Sequence, residues 1–211
     1  MANPRPISTL AMTLALLCAC AHAQEPAIMK TVRASYGGDK AIACDFDLSI
    51  YRHARESRES VSGHATMAPG NKYRVEIGKS VWVSNGATYW QYSAGSGQVI
   101  IKNLRDMDDA QQPSHLVTKY LQKRLYRVKS EAPSEICVES VADPTERRAP
   151  VKSVTLTVEA ATGVVKTLVA IDKSDDTSTY TFRNTKLGGP VPASMFTFEA
   201  PKGAQVLDMR E

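Results

Sequence analysis

The sequence predicts a mainly β protein with helices, folded as one highly curved antiparallel sheet or barrel. Three observations predict it. Apolar and polar residues alternate with period two over most of the chain, the pattern of strands with one dry and one wet face. Turn signals such as Pro69-Gly70-Asn71 and Asn85-Gly86 recur at short intervals. Two stretches of helical spacing interrupt the pattern, one at its start and one in its middle, and the strands otherwise form one continuous antiparallel run.

The first segment precedes the fold. Met1 to Pro6 carries Arg5 as its charge, Ile7 to Ala21 is almost wholly apolar, and Ala21-His22-Ala23 offers an A-x-A cleavage site. Residues 1–23 therefore read as a secretory signal peptide, and 24–211 as the mature domain. No later stretch approaches the ~20 apolar residues of a membrane span. Leu17-Cys18-Ala19-Cys20 also resembles a lipobox, which leaves open a chain cut before Cys20, lipidated there and tethered to a membrane. Either route places the mature chain outside the cytoplasm.

From Glu25, residues Ile28, Met29, Val32 and Tyr36 form one apolar helical stripe that Gly37-Gly38 ends. Period two then begins. Phe46, Leu48 and Ile50 alternate with Asp45, Asp47 and Ser49, and Ser60 to Met67 returns. Tyr73, Val75 and Ile77 make a third strand, Val81 to Ser84 a fourth, Thr88 to Tyr92 a fifth and Gln98 to Leu104 a sixth. The middle helix starts near Pro113, with Leu116, Val117, Tyr120, Leu121 and Leu125 on its apolar face. Leu116, Val117 and Leu121 lie on one side of a short helix flanked by polar sequence, the arrangement of an amphipathic cover. Strands resume over Tyr126 to Ser130, Ile136 to Val141, Val154 to Val158, Val164 to Asp172 and Thr177 to Asn184, and Val206-Leu207 ends the run. The total is about ten or eleven strands. Phe46, Leu48, Tyr73, Val75, Ile77, Trp90, Leu168 and Phe182 occupy the apolar parity of their strands and are the expected lining of a concave face, although parity alone does not fix which side of the curve that face takes.

Composition excludes several classes. Hydrophobic residues at 43% and charged residues at 23% are ordinary for a chain that buries a core, which excludes intrinsic disorder and a coiled coil. The formal charge of +4 is spread along the chain, without the Lys/Arg cluster of a nucleic-acid binder. Catalytic signatures are missing as well. His53, His64 and His115 sit in unrelated contexts with no zinc spacing. Gly78-Lys79-Ser80 resembles the end of a phosphate loop, but Tyr73 stands where its first glycine belongs, so a hairpin turn is expected. Asp108-Asp109 and Asp175-Asp176 read as solvated loop charges. Trp82, Tyr89, Trp90 and Tyr92 fit a sheet core better than a stacking platform. No enzyme, metal or cofactor is indicated. Loss of the signal removes Cys18 and Cys20, leaving Cys44 and Cys137 as an even pair in an oxidising compartment, either bridged or two buried thiols, with the disulfide expected.

The block Lys72 to Asn103, with K-Y-R-V-E-I, V-W-V-S-N-G-A-T-Y-W-Q-Y and Q-V-I-I-K-N, resembles the LolA-type periplasmic carriers of outer-membrane lipoproteins. Thr162 to Lys166, Thr179 to Phe182 and the closing Phe196 to Val206 extend the resemblance over most of the mature chain. It implies an incomplete antiparallel β-barrel with helices covering an apolar concave face. It also implies a cargo of lipoprotein acyl chains or another lipid, an inner-membrane donor complex, an outer-membrane acceptor, and a monomeric carrier in the periplasm. Similar folds serve as lipid-sensing regulators, which is the alternative. Two positions depart from the pattern: Ala68-Pro69-Gly70-Asn71 lacks the usual Arg that holds the lid helices, and Phe46-Asp47-Leu48 lacks the usual Gln. Without that Arg, docking of the cover is expected to rest on apolar contact alone.

Overall fold

The computed structural model describes residues 25–37, 40–107, 120–121, 125–141 and 151–210. Helix α1 (Ala27–Tyr36) buries Ile28, Met29 and Val32, the stripe that its three-and-four spacing predicts, and stops at Gly37. Eleven strands follow in antiparallel order: β1 (Ile42–Arg52), β2 (Ser57–Ala68), β3 (Lys72–Ile77), β4 (Ser80–Asn85), β5 (Thr88–Ser93), β6 (Gln98–Asn103), β7 (Tyr126–Glu131), β8 (Glu135–Ser140), β9 (Val151–Glu159), β10 (Val165–Asp172) and β11 (Thr177–Leu187). A twelfth, β12 (Gln205–Asp208), pairs with β6 in parallel, the one exception to the antiparallel run among the described strands. Four residues of alternation give no sign of where the chain end returns.

Across the sheet the order is β12-β6-β5-β4-β3-β2-β1-β11-β10-β9-β8-β7. Two meanders, β1 to β6 and β7 to β11, are joined edge to edge by the β1–β11 pair, and the curved sheet stays open. The tight links are of the expected kind. Gly78, at φ 56°, turns β3 into β4 with Ile77 opposite Ser80, which makes Gly78-Lys79 a hairpin turn.

β6, inside β12, lies near one end of the sheet, and β7 forms the other end. Tyr120 and Leu121 are buried on the inner face, together with α1. Leu116, Val117, His115 and Asp108-Asp109 lie outside the described residues. Among the described residues no helix is long and apolar enough to cross a membrane.

The expected bridge between Cys44 and Cys137 is not formed, and both thiols are free. Cys44 lies on β1 and Cys137 on β8, with β11, β10 and β9 between them. At ~4.8 Å per strand step, this separation far exceeds the ~7 Å Cα limit of a disulfide. An even count could not reveal the intervening strands.

Two apolar clusters cover the inner face. One joins α1, Tyr120, Leu121 and Tyr126 to Val138, Val154, Leu156, Val158, Val165 and Leu168. The other joins Cys44, Phe46, Ala65, Tyr73, Val75, Tyr89 and Leu104. Tyr180 and Phe182 of β11, stacked with ring planes 6° apart, pack against both.

Candidate functional site

Strand register builds the site from rows of cross-strand neighbours on the inner face. One row runs Leu168–Tyr180–Leu48, a second Phe182–Phe46–Gly63–Ile77, and a third Cys44–Ala65–Val75–Trp82. Gly63 makes the second row possible. A Cβ there would sit 2.4 Å from Phe46 Cζ and 2.5 Å from the Glu76 carbonyl oxygen, so the missing side chain lets the Phe46 ring lie across β2.

Between the two clusters these rows leave a cavity of about 250 Å³. That is just below the ~300–1,000 Å³ typical of ligand pockets. Phe46, Leu48, Val75, Ile77, Leu168 and Phe182 line it, as does Leu121. Tyr73 shares their face but is wholly buried beside Tyr89, with ring centroids 6.4 Å apart. Trp90 lies elsewhere. It pairs with Val83 and Ile101 on the opposite face, while Trp82, next to Val83 and so of opposite parity, lines the cavity. The Asn85-Gly86 turn held the clue: closing the hairpin there sets Val83 opposite Trp90 and Trp82 opposite Gln91. Cys44, Tyr36, Tyr120, Tyr180 and Val165 also line the space and were missed as lining residues.

No charged side chain is among the described lining residues. Burial pushes the Cys44 thiol up to about 11 and the Tyr36 phenol up to about 12. Tyr180 is raised for the same reason. All three stay neutral near pH 7, so the wall presents no fixed charge to a ligand.

Tyr120 and Leu121 are held by polar bonds as well as apolar contact. Arg33 of α1 donates from Nε to the Leu121 carbonyl at 3.2 Å, and its guanidinium is held in turn by Glu25. The Tyr126 hydroxyl donates to the Tyr120 carbonyl. The expectation of docking by apolar contact alone is therefore corrected. The arginine comes from α1, not from the Pro69-Gly70-Asn71 turn.

Over β1, β2 and β11 the outer face is polar. Asp45 accepts from Asn184 Nδ2 at 2.7 Å and meets His64 Nδ1 at 2.7 Å, and His64 Nε2 lies 3.3 Å from Thr66 Oγ1. The Asn184 and His64 hydrogen bonds hold the Asp45 carboxyl below its ordinary range. His53 donates its backbone N–H to Asp176 Oδ1 at the far end of β1. No group of metal-ligating side chains occurs among the described residues.

Comparison with known proteins places this architecture. The family profile described as "Outer membrane lipoprotein carrier protein LolA" matches residues 40–199, which hold β1 to β11 and every described cavity residue except Tyr36. The chain belongs to the LolA family. Two relatives named outer-membrane lipoprotein carrier protein agree with this. The one from Vibrio campbellii is 26% identical over 96% of this chain and 95% of its own. The one from Vibrio parahaemolyticus is 30% identical over 82% of this chain and 81% of its own. An uncharacterized conserved protein from Thermus thermophilus superposes with a TM-score of 0.53 at 14% identity, covering 86% of this chain and 96% of that one, which speaks to the fold alone. Arg33 lies outside the segment matched to the LolA family.

Proposed function

We propose that the mature chain, freed of residues 1–23, is a periplasmic carrier that receives the acyl chains of lipoproteins in the inner-face cavity and moves them toward the outer membrane. The observation that carries this reading is the uncharged, apolar cavity left open between two otherwise well-packed clusters. Each methylene transferred into such a space is worth about 0.8 kcal/mol, so an acyl chain can be extracted with no covalent chemistry. Phe46, Leu48, Val75, Ile77, Leu168 and Phe182 would hold the chain from the sheet side, and Leu121 from the cover. An inner-membrane donor complex would supply the cargo and an outer-membrane acceptor would take it.

The test adds purified mature protein to inner-membrane vesicles that hold a labelled lipoprotein. The expected outcome is a soluble complex of carrier and lipoprotein, absent when the same lipoprotein lacks its acyl chains. Label that stays in the membrane would count against the carrier. So would a stable complex with a non-acylated protein, which is the behaviour of a lipid-sensing regulator.

A further inference from the structure

Two polar atoms on the inner face have no partner among the described residues. Trp82 Nε1 and Tyr73 Oη are both sealed from solvent, and neither makes a hydrogen bond among the described residues. Their neighbours show that this is not the habit of the site. Tyr36 Oη accepts from the Val165 N–H at 3.0 Å, Tyr89 Oη donates to Gln91 Oε1 at 3.1 Å, and Ser84 Oγ accepts from the Gly86 N–H at 3.1 Å. The two residues are diagonal neighbours in the register. Val75 is opposite Trp82 and Tyr73 is opposite Ser84, and both aromatic side chains belong to the same cluster. Trp82 lines the cavity itself. Buried polar groups are nearly always satisfied in native proteins, so an orphaned N–H on a lining residue, with an orphaned hydroxyl on the buried residue behind it, calls for a partner that enters the empty space.

The chemistry of the pair restricts that partner. An indole N–H only donates, so the partner must be an acceptor. Burial raises the Tyr73 phenol far above neutrality, so it too has a proton to give. A carboxylate would accept from both, but it would enter a wall with no charged side chain among its described residues, and an unpaired buried charge is costly. A neutral carbonyl avoids that cost and offers two lone pairs.

We propose that Trp82 and Tyr73 form a polar subsite on the β3–β4 wall for the neutral carbonyl of an acyl ester or amide, so that the cavity selects acylated ligands over bare hydrocarbons and free fatty acids. The assignment rests on the acyl-carrier reading above and sharpens it. The subsite marks where the head of an acyl chain stops, with the hydrocarbon running on toward Phe46 and Leu168.

The experiment uses delipidated mature protein and three probes of equal chain length: a fatty-acid methyl ester, the free acid ionised at pH 8, and the n-alkane. Binding is read by displacement of an apolar fluorescent dye. The wild type should prefer the ester. Trp82→Phe keeps the aromatic bulk and removes the N–H, and should weaken ester binding about five- to tenfold while alkane binding stays the same. Tyr73→Phe should act in the same direction. Neither variant should lower the thermal midpoint of the empty protein, because each removes an unpaired buried polar group. Equal losses for ester and alkane, or no loss for the ester, would overturn the subsite and leave the carrier standing. A wild type that binds none of the three would overturn both. A diacylglyceryl peptide and a phospholipid with the same acyl chains then distinguish the sources: retention of either one through the same two donors supports the subsite, and loss of neither on Trp82→Phe overturns it.

Discussion

Ala65→Leu sets a cavity against a closed core by the sign of its effect. Ala65 lines the space from β2, between Cys44 on one side and Val75 on the other. Leucine there adds three carbons directed into about 250 Å³ of empty volume. At about 0.8 kcal/mol for each buried carbon, full accommodation would stabilise the empty protein by at most about 2.4 kcal/mol. In a core without room the same change forces side chains off their rotamers and costs about 1–3 kcal/mol. A domain of this size shifts its thermal midpoint by about 2–4 °C per kcal/mol, so the two outcomes are well separated. The carbons that fill the cavity also displace an equal length of acyl chain. The same stabilisation of about 2.4 kcal/mol then appears as a loss of roughly 60-fold in affinity for a long-chain ester. Differential scanning calorimetry of delipidated protein, paired with dye displacement by the ester, measures both. A lower midpoint with undiminished ester affinity would refute the argument, because it would mean that Ala65 faces packed atoms and that ligand binds elsewhere.

Three further outcomes are expected. Gly63→Ala should destabilise by about 1–3 kcal/mol in urea unfolding, since the added Cβ meets the Glu76 carbonyl oxygen as well as the movable Phe46 ring; an unchanged midpoint would show that β2 has slack. In a Cys137→Ser background, alkylation of Cys44 should quicken about tenfold per pH unit from pH 7 to pH 10, because its thiolate forms only toward about 11. A plateau by pH 9 would contradict this burial, and bound ester should slow the reaction at every pH. Asp176 accepts from Arg52 Nη1 at 2.8 Å, and that bond with the His53 N–H depresses its pKa. Its stabilising effect is therefore present above the ordinary value of 3.8 and lost as pH falls through the folded value. The stability gap between wild type and Asp176→Asn should shrink from pH 6 to pH 2.5, and a gap that stays constant over that range would rule out the linkage.

Local alternation made most of this fold legible. Phe46, Leu48, Val75 and Ile77 share a face because side chains alternate along a strand, and that needs no knowledge of the neighbours. What alternation leaves out is the relation between strands. Trp82 and Trp90 both look like core aromatics, and only the register across the Asn85-Gly86 turn puts them on opposite faces. Cys44 and Cys137 look like partners until the order of the sheet places three strands between them. Arg33 reads as an ordinary helix-surface cation, since its bond to the Leu121 carbonyl spans residues far apart in the chain. The unpaired atoms of Trp82 and Tyr73 belong to the same class: being orphaned is a property of surroundings, and no residue pattern encodes it.

The β1–β11 seam bears on how the chain acquires its shape. Both meanders can zip locally, one hairpin at a time, but β1 waits for a partner that begins at Thr177. During that interval a folding chain displays an open strand edge beside its apolar rows, the exposure that invites misassociation. Pairing that bridges such a long stretch of chain is slow, because loop-closure entropy must be met before the contact forms. The last event of folding would then be the closing of this seam, which brings Tyr180 and Phe182 against Phe46 and creates the binding space in the same step. A chain halted before that point would carry its ligand-facing surface with no pocket around it, so competence to bind and completion of the fold would arrive together.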